Sequence, residues 1–246
     1  MNIFEIFKTK SNYNNIDLAY QLFNTLGVGG SIDSKYKNEI KRIQKECTDV
    51  NISPYPDRQK VLLKVIELAG EPSSSMQRYL LAIAYAWSRA NYREQAIYYI
   101  ELYIDNGLCD EICSLYSKNN NIEEGRKKHS IEMHHFLFKN YIGLYNFEKA
   151  LKISEKMISI DPINPIGYFD KVESLTKQNK LQECKSWLNN VKHSSYYKKY
   201  TYIDALGKKY QDDWFYSSIN KLLKETNDKI KNGYIYKPRN KKDNVI

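Results

Sequence analysis

The 246-residue chain has only four histidines and four cysteines. Half of each fall in one interval, Cys109-x3-Cys113-x15-His129-x4-His134. Two thiolates and two imidazoles are the donor set of a closed tetrahedral zinc site, and these intervals lie near the usual range. The context opposes that reading. No β-hairpin is predicted after Cys113, and His134 falls on a position whose spacing marks it as a packing residue. Cys109 and Cys113 therefore read as small helix-face residues one turn apart, His129 as surface, and no metal or other cofactor is expected. Glu132-x2-His135 has the helical spacing of half a di-iron site, but the second Glu-x-x-His that such a site requires is missing. No Gly-rich phosphate loop, Gly-x-Ser-x-Gly elbow or dinucleotide fingerprint occurs, and no spacing ties Ser, His and Asp into a triad. Catalysis has no positive sign, so the chain reads as a non-enzyme.

The elements that would position these residues are helices. Breaker-rich segments at 27–34, 48–56, 70–75, 106–107, 119–121, 162–165 and 189–195 cut the chain into helix-length pieces. Between them apolar residues recur at spacings of three and four: Val61, Leu62, Val65 and Ile66, then Leu80, Ile83, Ala84 and Trp87. Period-two alternation is absent, so the Asn-Gly pairs at 106–107 and 232–233 do not read as hairpin turns, and no Asp-Gly occurs. Ten Gly and six Pro are too few for a turn-rich sandwich or barrel. The fold class is all-α.

The pieces repeat. Leu80-x2-Ile83-Ala84-x2-Trp87-x8-Ala96-x3-Ile100-x2-Tyr103 shares its spacing with His134-x2-Leu137-Phe138-x2-Tyr141-x8-Ala150-x3-Ser154-x2-Met157. It returns in Tyr168-x2-Lys171-Val172-x2-Leu175-x8-Cys184-x3-Leu188-x2-Val191, and more weakly in Leu206-Gly207-x2-Tyr210-x8-Ile219-x3-Leu223. This is the pattern of a helical hairpin. The first helix carries a large-small-aromatic face, and a compact residue on the second (Ala96, Ala150, Cys184) lets the two helices approach. One hairpin cannot bury both faces, so the copies must stack.

These residues resemble the tetratricopeptide repeat family, best over 131–164, where Leu137, Tyr141, Ala150 and Pro162 sit at the family's spacing. His134 stands where the family usually has Trp, Phe138 where it has a helix-contact Gly, and Ser154 where it has Phe. The resemblance covers roughly 77–104 and 131–230 and implies a right-handed solenoid of α-hairpins. It also implies a concave groove lined by the first helix of each hairpin and holding an extended peptide or partner helix. Matched spacing assigns to that face Arg78, Tyr85 and Arg89 from the first copy, and His135 and Lys139 from the second. The third copy contributes Ile166, Phe169, Glu173, Thr176 and Lys177, and the fourth Lys208.

Three regions follow: an N-terminal helical region at 1–70, repeats at 71–233 with an insertion at about 106–130, and a basic disordered tail at 234–246. The formal charge is +9, with 31 Lys against seven Arg and 22 Tyr. Lys without Arg is a poor base or phosphate reader, so most of the excess reads as solvated surface. Its distribution is uneven, though. Residues 1–125 carry 14 basic and 16 acidic groups, whereas 126–246 carry 24 and 13. The surplus of 11 in the second half favours an acidic partner. The N-terminal residues have neither the basic region nor the apolar core of a signal peptide, no stretch is apolar enough to span a membrane, and four Cys do not make a disulfide scaffold. A cytoplasmic protein is expected. The resulting expectation is a non-catalytic binding module, adaptor or inhibitor, that recognises a protein or peptide on the concave face. The alternative is a nucleic-acid-associated protein using the basic half.

Overall fold

A computed structural model describes residues 15–26, 31–69, 77–117, 121–203 and 209–238. The chain divides into two compact units, Met1–Arg126 and Lys127–Ile246. The border falls beside residue 125, where the charge changes sign. Among the described residues there are eleven α-helices and one two-stranded ribbon, and no helix is long and apolar enough to cross a membrane.

In the first unit α1 (Asn15–Asn24), α2 (Lys37–Glu46), α3 (Arg58–Ala69), α4 (Gln77–Arg89), α5 (Arg93–Asp105) and α6 (Asp110–Leu115) follow one another. Helix α1 packs on α3 and α4, α3 on α4, and α4 on α5. Leu18, Leu22 and Phe23 of α1 join Ile40 and Ile43, Val61, Leu62 and Val65, and Ile83 and Ala86 of α4 in one buried cluster. The expected border between 70 and 71 is therefore not a boundary between cores. The apolar stripe of α3 finds its cover on α4 and takes the leading helices into the same core.

The expected insertion at 106–130 is also resolved into structure. Its first part is α6, and its second part is the opening of α7 (Ile122–Gly143), which runs without a break into the second repeat copy. Gly125 makes this possible. A Cβ there would stand 2.1 Å from the carbonyl oxygen of Cys113, so only glycine lets the first turn of α7 close on α6. Arg126 fastens the contact with two guanidinium hydrogen bonds to Asp110, 2.7 and 3.0 Å.

The second unit contains the rest of α7, then α8 (Phe147–Ile160), α9 (Pro165–Lys177), α10 (Leu181–Val191), strands β1 (Tyr200–Ile203) and β2 (Lys209–Asp212), and α11 (Trp214–Lys231). Helix α9 packs on α8, α10 and α11, and α10 packs on α11. Tyr168, Val172, Leu175, Cys184, Leu188, Phe215, Ile219 and Leu222 form the core between them. Asn164 caps α9 by accepting from the Ile166 amide, with Pro165 in the first helical position. Asn146 caps α8 by accepting from Lys149. At Gly167 a Cβ would lie 2.9 Å from Cγ1 of Ile158 and 3.1 Å from Cβ of Met157, which marks the closest approach of α8 and α9.

Strands β1 and β2 pair antiparallel, Tyr200 opposite Asp212 and Ile203 opposite Lys209. They replace the first helix of the weak fourth copy. Thr201, Tyr202, Ile203 and Tyr210 are β-branched and aromatic residues that a pleated ribbon suits better than a helix. Lys208 lies outside the described residues. Ile219 of that copy is fully buried on α11, as its spacing predicts.

The clearest internal recurrence lies in the turns. Asn91, Tyr145 and Asn179 have φ of 66°, 60° and 60°, the left-handed conformation that non-glycine residues seldom adopt. They are 54 and 34 residues apart, the steps that separate Ala96, Ala150 and Cys184. Each closes the same pair of hydrogen bonds at the end of a helix. The next amide donates back to the fifth residue before it: Tyr92 to Trp87, Asn146 to Tyr141 and Lys180 to Leu175, at 2.9–3.0 Å. The left-handed residue donates to Ser88, Ile142 or Thr176. Ala96, Ala150 and Cys184 then donate to Tyr92, Asn146 and Lys180 as the following helix begins, and all three are fully buried.

Candidate functional site: a groove across the second unit

Helix periodicity places His135 and Lys139 on one face of α7. It likewise aligns Ile166, Phe169, Asp170, Glu173 and Lys177 along α9, and Leu222, Glu225 and Lys229 along α11. Together with Tyr234 and Tyr236 these residues line an open groove of about 520 Å³. His135, Lys139, Phe169, Glu173 and Lys177, all assigned by spacing, are brought together here.

The charges in the groove are interlocked. Nδ1 of His135 lies 2.6 Å from Oδ2 of Asp170, and Nζ of Lys139 is 2.8 Å from Glu173 and 3.9 Å from Asp170. Lys177 reaches the other oxygen of Glu173 at 3.8 Å. Asp170 is the buried member of this set, its side chain 3% exposed against 38% for His135 and 46% for Lys139. Burial pushes its carboxyl above the usual carboxylate range, and the His135 hydrogen bond and the charges of His135 and Lys139 offset part of that rise. The exposed Lys–Glu contacts are worth at most about 1 kcal/mol each. They fix the positions of three charged heads along α7 and α9 more than they stabilise the fold.

Spacing misses Asp170, and with it Leu222, Glu225 and Lys229 of α11 and the two tyrosines Tyr234 and Tyr236. Asp170 is offset by one position from Phe169, the counterpart of His135 in the next copy. The faint signal is an Asp in a helix interior, where its propensity is poor.

At one end of the groove the segment after α11 turns back across the α9 corner. Tyr236 donates its amide to Oδ1 of Asn179 at 2.7 Å, and its carbonyl accepts from Nδ2 of the same carboxamide at 3.3 Å. Its ring meets Phe147 edge-on with centroids 5.8 Å apart, and Nζ of Lys177 lies over it at 4.6 Å. Tyr236, expected within a disordered tail, is thus docked, while Ile235, Lys237 and Pro238 beside it stay exposed. The Asn179 carboxamide supplies the backbone partners that an extended chain otherwise lacks. Residues 239–246 lie outside the described residues.

The first-copy residues belong to the other unit. Tyr85 packs half-buried against the core there, and the Arg89 guanidinium carbon lies 5.9 Å from the centre of the Phe23 ring, a packing contact as much as a free charge. Arg78 lies on α4, with its side chain outside the described residues.

The zinc-like quartet is not assembled. Among the described residues no group of three or more His, Cys, Asp and Glu side chains could hold a metal ion. Cys113 is fully buried and burial raises its thiol pKa, which keeps it protonated. Cys109 sits at the start of α6, its amide donating to the Tyr103 hydroxyl at 3.1 Å. His129, predicted to be at the surface, is only 1% exposed. The early start of α7 carries it into the packed interior, where burial depresses its pKa to about 4. His134 is buried too, with its pKa lowered chiefly by desolvation and Nδ1–H donating to the Ser130 carbonyl at 2.7 Å.

Tyr197 has a structural use. The Tyr197 ring stacks on Tyr216 with centroids 4.6 Å apart, and its hydroxyl donates to Asn220 at 2.7 Å. Lysines cover neighbouring rings: Lys192 over Tyr197, Lys199 over Tyr216, Lys171 over Trp187 and Lys229 over Tyr234, at 4.7–5.7 Å.

Comparison with protein-family profiles finds no matching family, and comparison with curated proteins finds no matching relative.

Proposed function

We propose that this protein is a binding module, built from helical hairpins of the tetratricopeptide type, whose second unit holds an extended peptide or partner segment in the groove between α7, α9 and α11. One observation carries the reading. Seven residues assigned to the partner-binding face by repeat spacing, His135, Lys139, Ile166, Phe169, Glu173, Thr176 and Lys177, line one open groove. The recurrence of the same left-handed corner at 91, 145 and 179 supports a hairpin array. The chemistry of the groove suits a polypeptide. Both signs of charge occur along it, Phe169, Ile166 and Leu222 offer apolar contact, and the groove lysines Lys139 and Lys177 both reach the carboxylate of Glu173. A track for phosphates would leave such lysines unmatched.

The test is an array of nine-residue peptides probed with the full chain and with a Lys139→Glu, Lys177→Glu double variant. The variant is expected to lose at least tenfold of the captured signal with unchanged helicity. Capture that is indifferent to both reversals overturns the reading. Retention of nucleic acid that falls steeply between about 50 and 200 mM salt would favour the basic half as a nucleic-acid surface instead.

A further inference from the structure

We infer that Asn179, Phe147 and Lys177 form a peptide subsite at the end of the groove, filled in cis by the chain's own Tyr236, and that in trans it takes an extended peptide bearing an aromatic side chain. This rests on the reading of the groove as a peptide site and specifies one of its pockets.

The Asn179 carboxamide is presented for backbone recognition. It projects from a left-handed corner, φ 60°, that its neighbours fix through two helix-ending hydrogen bonds. Its oxygen and nitrogen engage the amide and carbonyl of a single residue, Tyr236, which only an extended chain can offer side by side. The same chain in a helix would have spent both groups on itself. Sequence beyond the backbone is read by the ring slot, with Phe147 at the edge and Lys177 over the face. Phe147 is itself held firmly, its carbonyl accepting from Ser174 at 2.6 Å and from Gln178 at 3.3 Å. A second hollow of about 490 Å³, lined by Leu144, Tyr145, Asn146 and Glu148, shares Phe147 with the slot and gives a longer ligand room to continue.

The resident segment has the form of a ligand. The corner at Gly233, φ 61°, ends α11 and releases an extended run in which Tyr234 and Tyr236 line the groove while Ile235 between them is 66% exposed. Lys237-Pro238 follows, and the proline keeps the chain from returning to helix. Two hydrogen bonds, one ring edge and one cation–π contact are set against the ordering of several residues, so the segment is held by its short tether more than by its contacts. A competitor in trans faces an effective concentration on the order of millimolar, and removing the cis occupant uncovers the site.

The experiment uses a fluorescein-labelled peptide with the sequence of residues 233–238, titrated by anisotropy into the full-length chain. Tyr236→Pro removes both the ring and the amide that occupy the subsite. Asn179→Gly keeps the left-handed corner while deleting the carboxamide. The Tyr236→Pro chain is expected to bind the peptide at least tenfold more tightly than the unaltered chain, and the double variant to lose at least tenfold of that. Circular dichroism melting of the three proteins verifies that each is folded. No gain in Tyr236→Pro, with groove capture on the peptide array intact, overturns the subsite and leaves the groove reading standing. Failure of both overturns both. Binding that survives Asn179→Gly overturns the carboxamide's role. Dimerisation of the unaltered chain that Tyr236→Pro abolishes would assign the slot to a second copy's tail and overturn occupancy in cis.

Discussion

His135 and Asp170 share a 2.6 Å hydrogen bond from Nδ1 to Oδ2, yet only Asp170 has given up its water: its side chain is 3% exposed against 38% for His135. The inequality makes the two partners non-interchangeable. Removing Asp170 returns an imidazole to solvent, whereas removing His135 strands a buried carboxyl with only Lys139, 3.9 Å away, for compensation. Asp170→Asn is expected to cost about 1 kcal/mol at pH 7 and His135→Leu about 2–3 kcal/mol. Urea unfolding of the two variants measures the difference, and equal or reversed costs would contradict it. In His135→Leu the carboxyl, already raised by burial, rises further. Its folded-state pKa then lies above the unfolded one, so this carboxyl's own contribution to stability is greatest in acid and declines as pH rises through the folded value, opposite in sign to that of the buried histidines.

Two glycines allow close backbone approach, to different degrees. An added Cβ at Gly125 meets a carbonyl oxygen at 2.1 Å, which side-chain movement cannot relieve, while at Gly167 it meets Cγ1 of Ile158 at 2.9 Å. Gly167→Ala is expected to lose about 1–2 kcal/mol, overpacking being offset in part by the better helix propensity of alanine. Gly125→Ala should lose more, with the damage confined to the first unit. Thermal melts rank the pair, and a milder Gly125→Ala would refute the α6–α7 contact.

Acid should destabilise the second unit through its buried imidazoles. The unfolded chain protonates His129 near the ordinary value of 6.5 and the folded chain only at about 4, so protons bind the unfolded state first. The neutral-histidine contribution is complete above about pH 6.5 and is lost as pH falls toward 4, a change of about 3 kcal/mol. His134, lowered in the same direction, adds to it. Denaturant titrations from pH 7 to 4.5 give the slope. His129→Gln, which keeps a polar side chain but cannot titrate, should flatten it; an unaltered slope would place the acid sensitivity elsewhere.

Tyr145 occupies its left-handed corner at a disadvantage that Asn91 and Asn179 avoid. Asparagine tolerates φ near 60°, whereas a bulky tyrosine there carries strain of about 1 kcal/mol or more. The edge contact with Phe147, centroids 6.1 Å apart, returns part of this. Tyr145→Asn is accordingly expected to stabilise the protein by about 0.5 kcal/mol, read as a rise of about 1–2 °C in the melting temperature. A fall would mean that the ring contact outweighs the backbone strain.

What could be read from residue order is what depends on neighbours a few positions apart. The helices at 58–69, 77–105 and 147–191 follow from apolar spacing, and burial of Ala96, Ala150 and Cys184 follows from the recurrence of compact residues. Contacts decided by distant partners were hidden. Asp170 became the centre of the groove because His135 sits across from it, and no local pattern marks a carboxylate that is to be buried. A reading of 106–130 as an insertion puts His129 at the surface, whereas α7 begins at Ile122 and includes residue 129 in its helix. The four-residue strands Tyr200–Ile203 and Lys209–Asp212 carry too few positions to display alternation. Docking of Tyr236 depends on the Asn179 corner, whose left-handed backbone asparagine permits but does not announce.

The lysines lying over Trp187, Tyr197, Tyr216, Tyr234 and Tyr236 have a bearing on colloidal behaviour. In each pair an ammonium shields an aromatic face that would otherwise meet other molecules. Neutralising these amines, as exhaustive acetylation does, would weaken mutual repulsion and unveil sticky rings at the same stroke. The solubility of the second unit should therefore collapse more abruptly on acetylation than loss of net charge alone dictates.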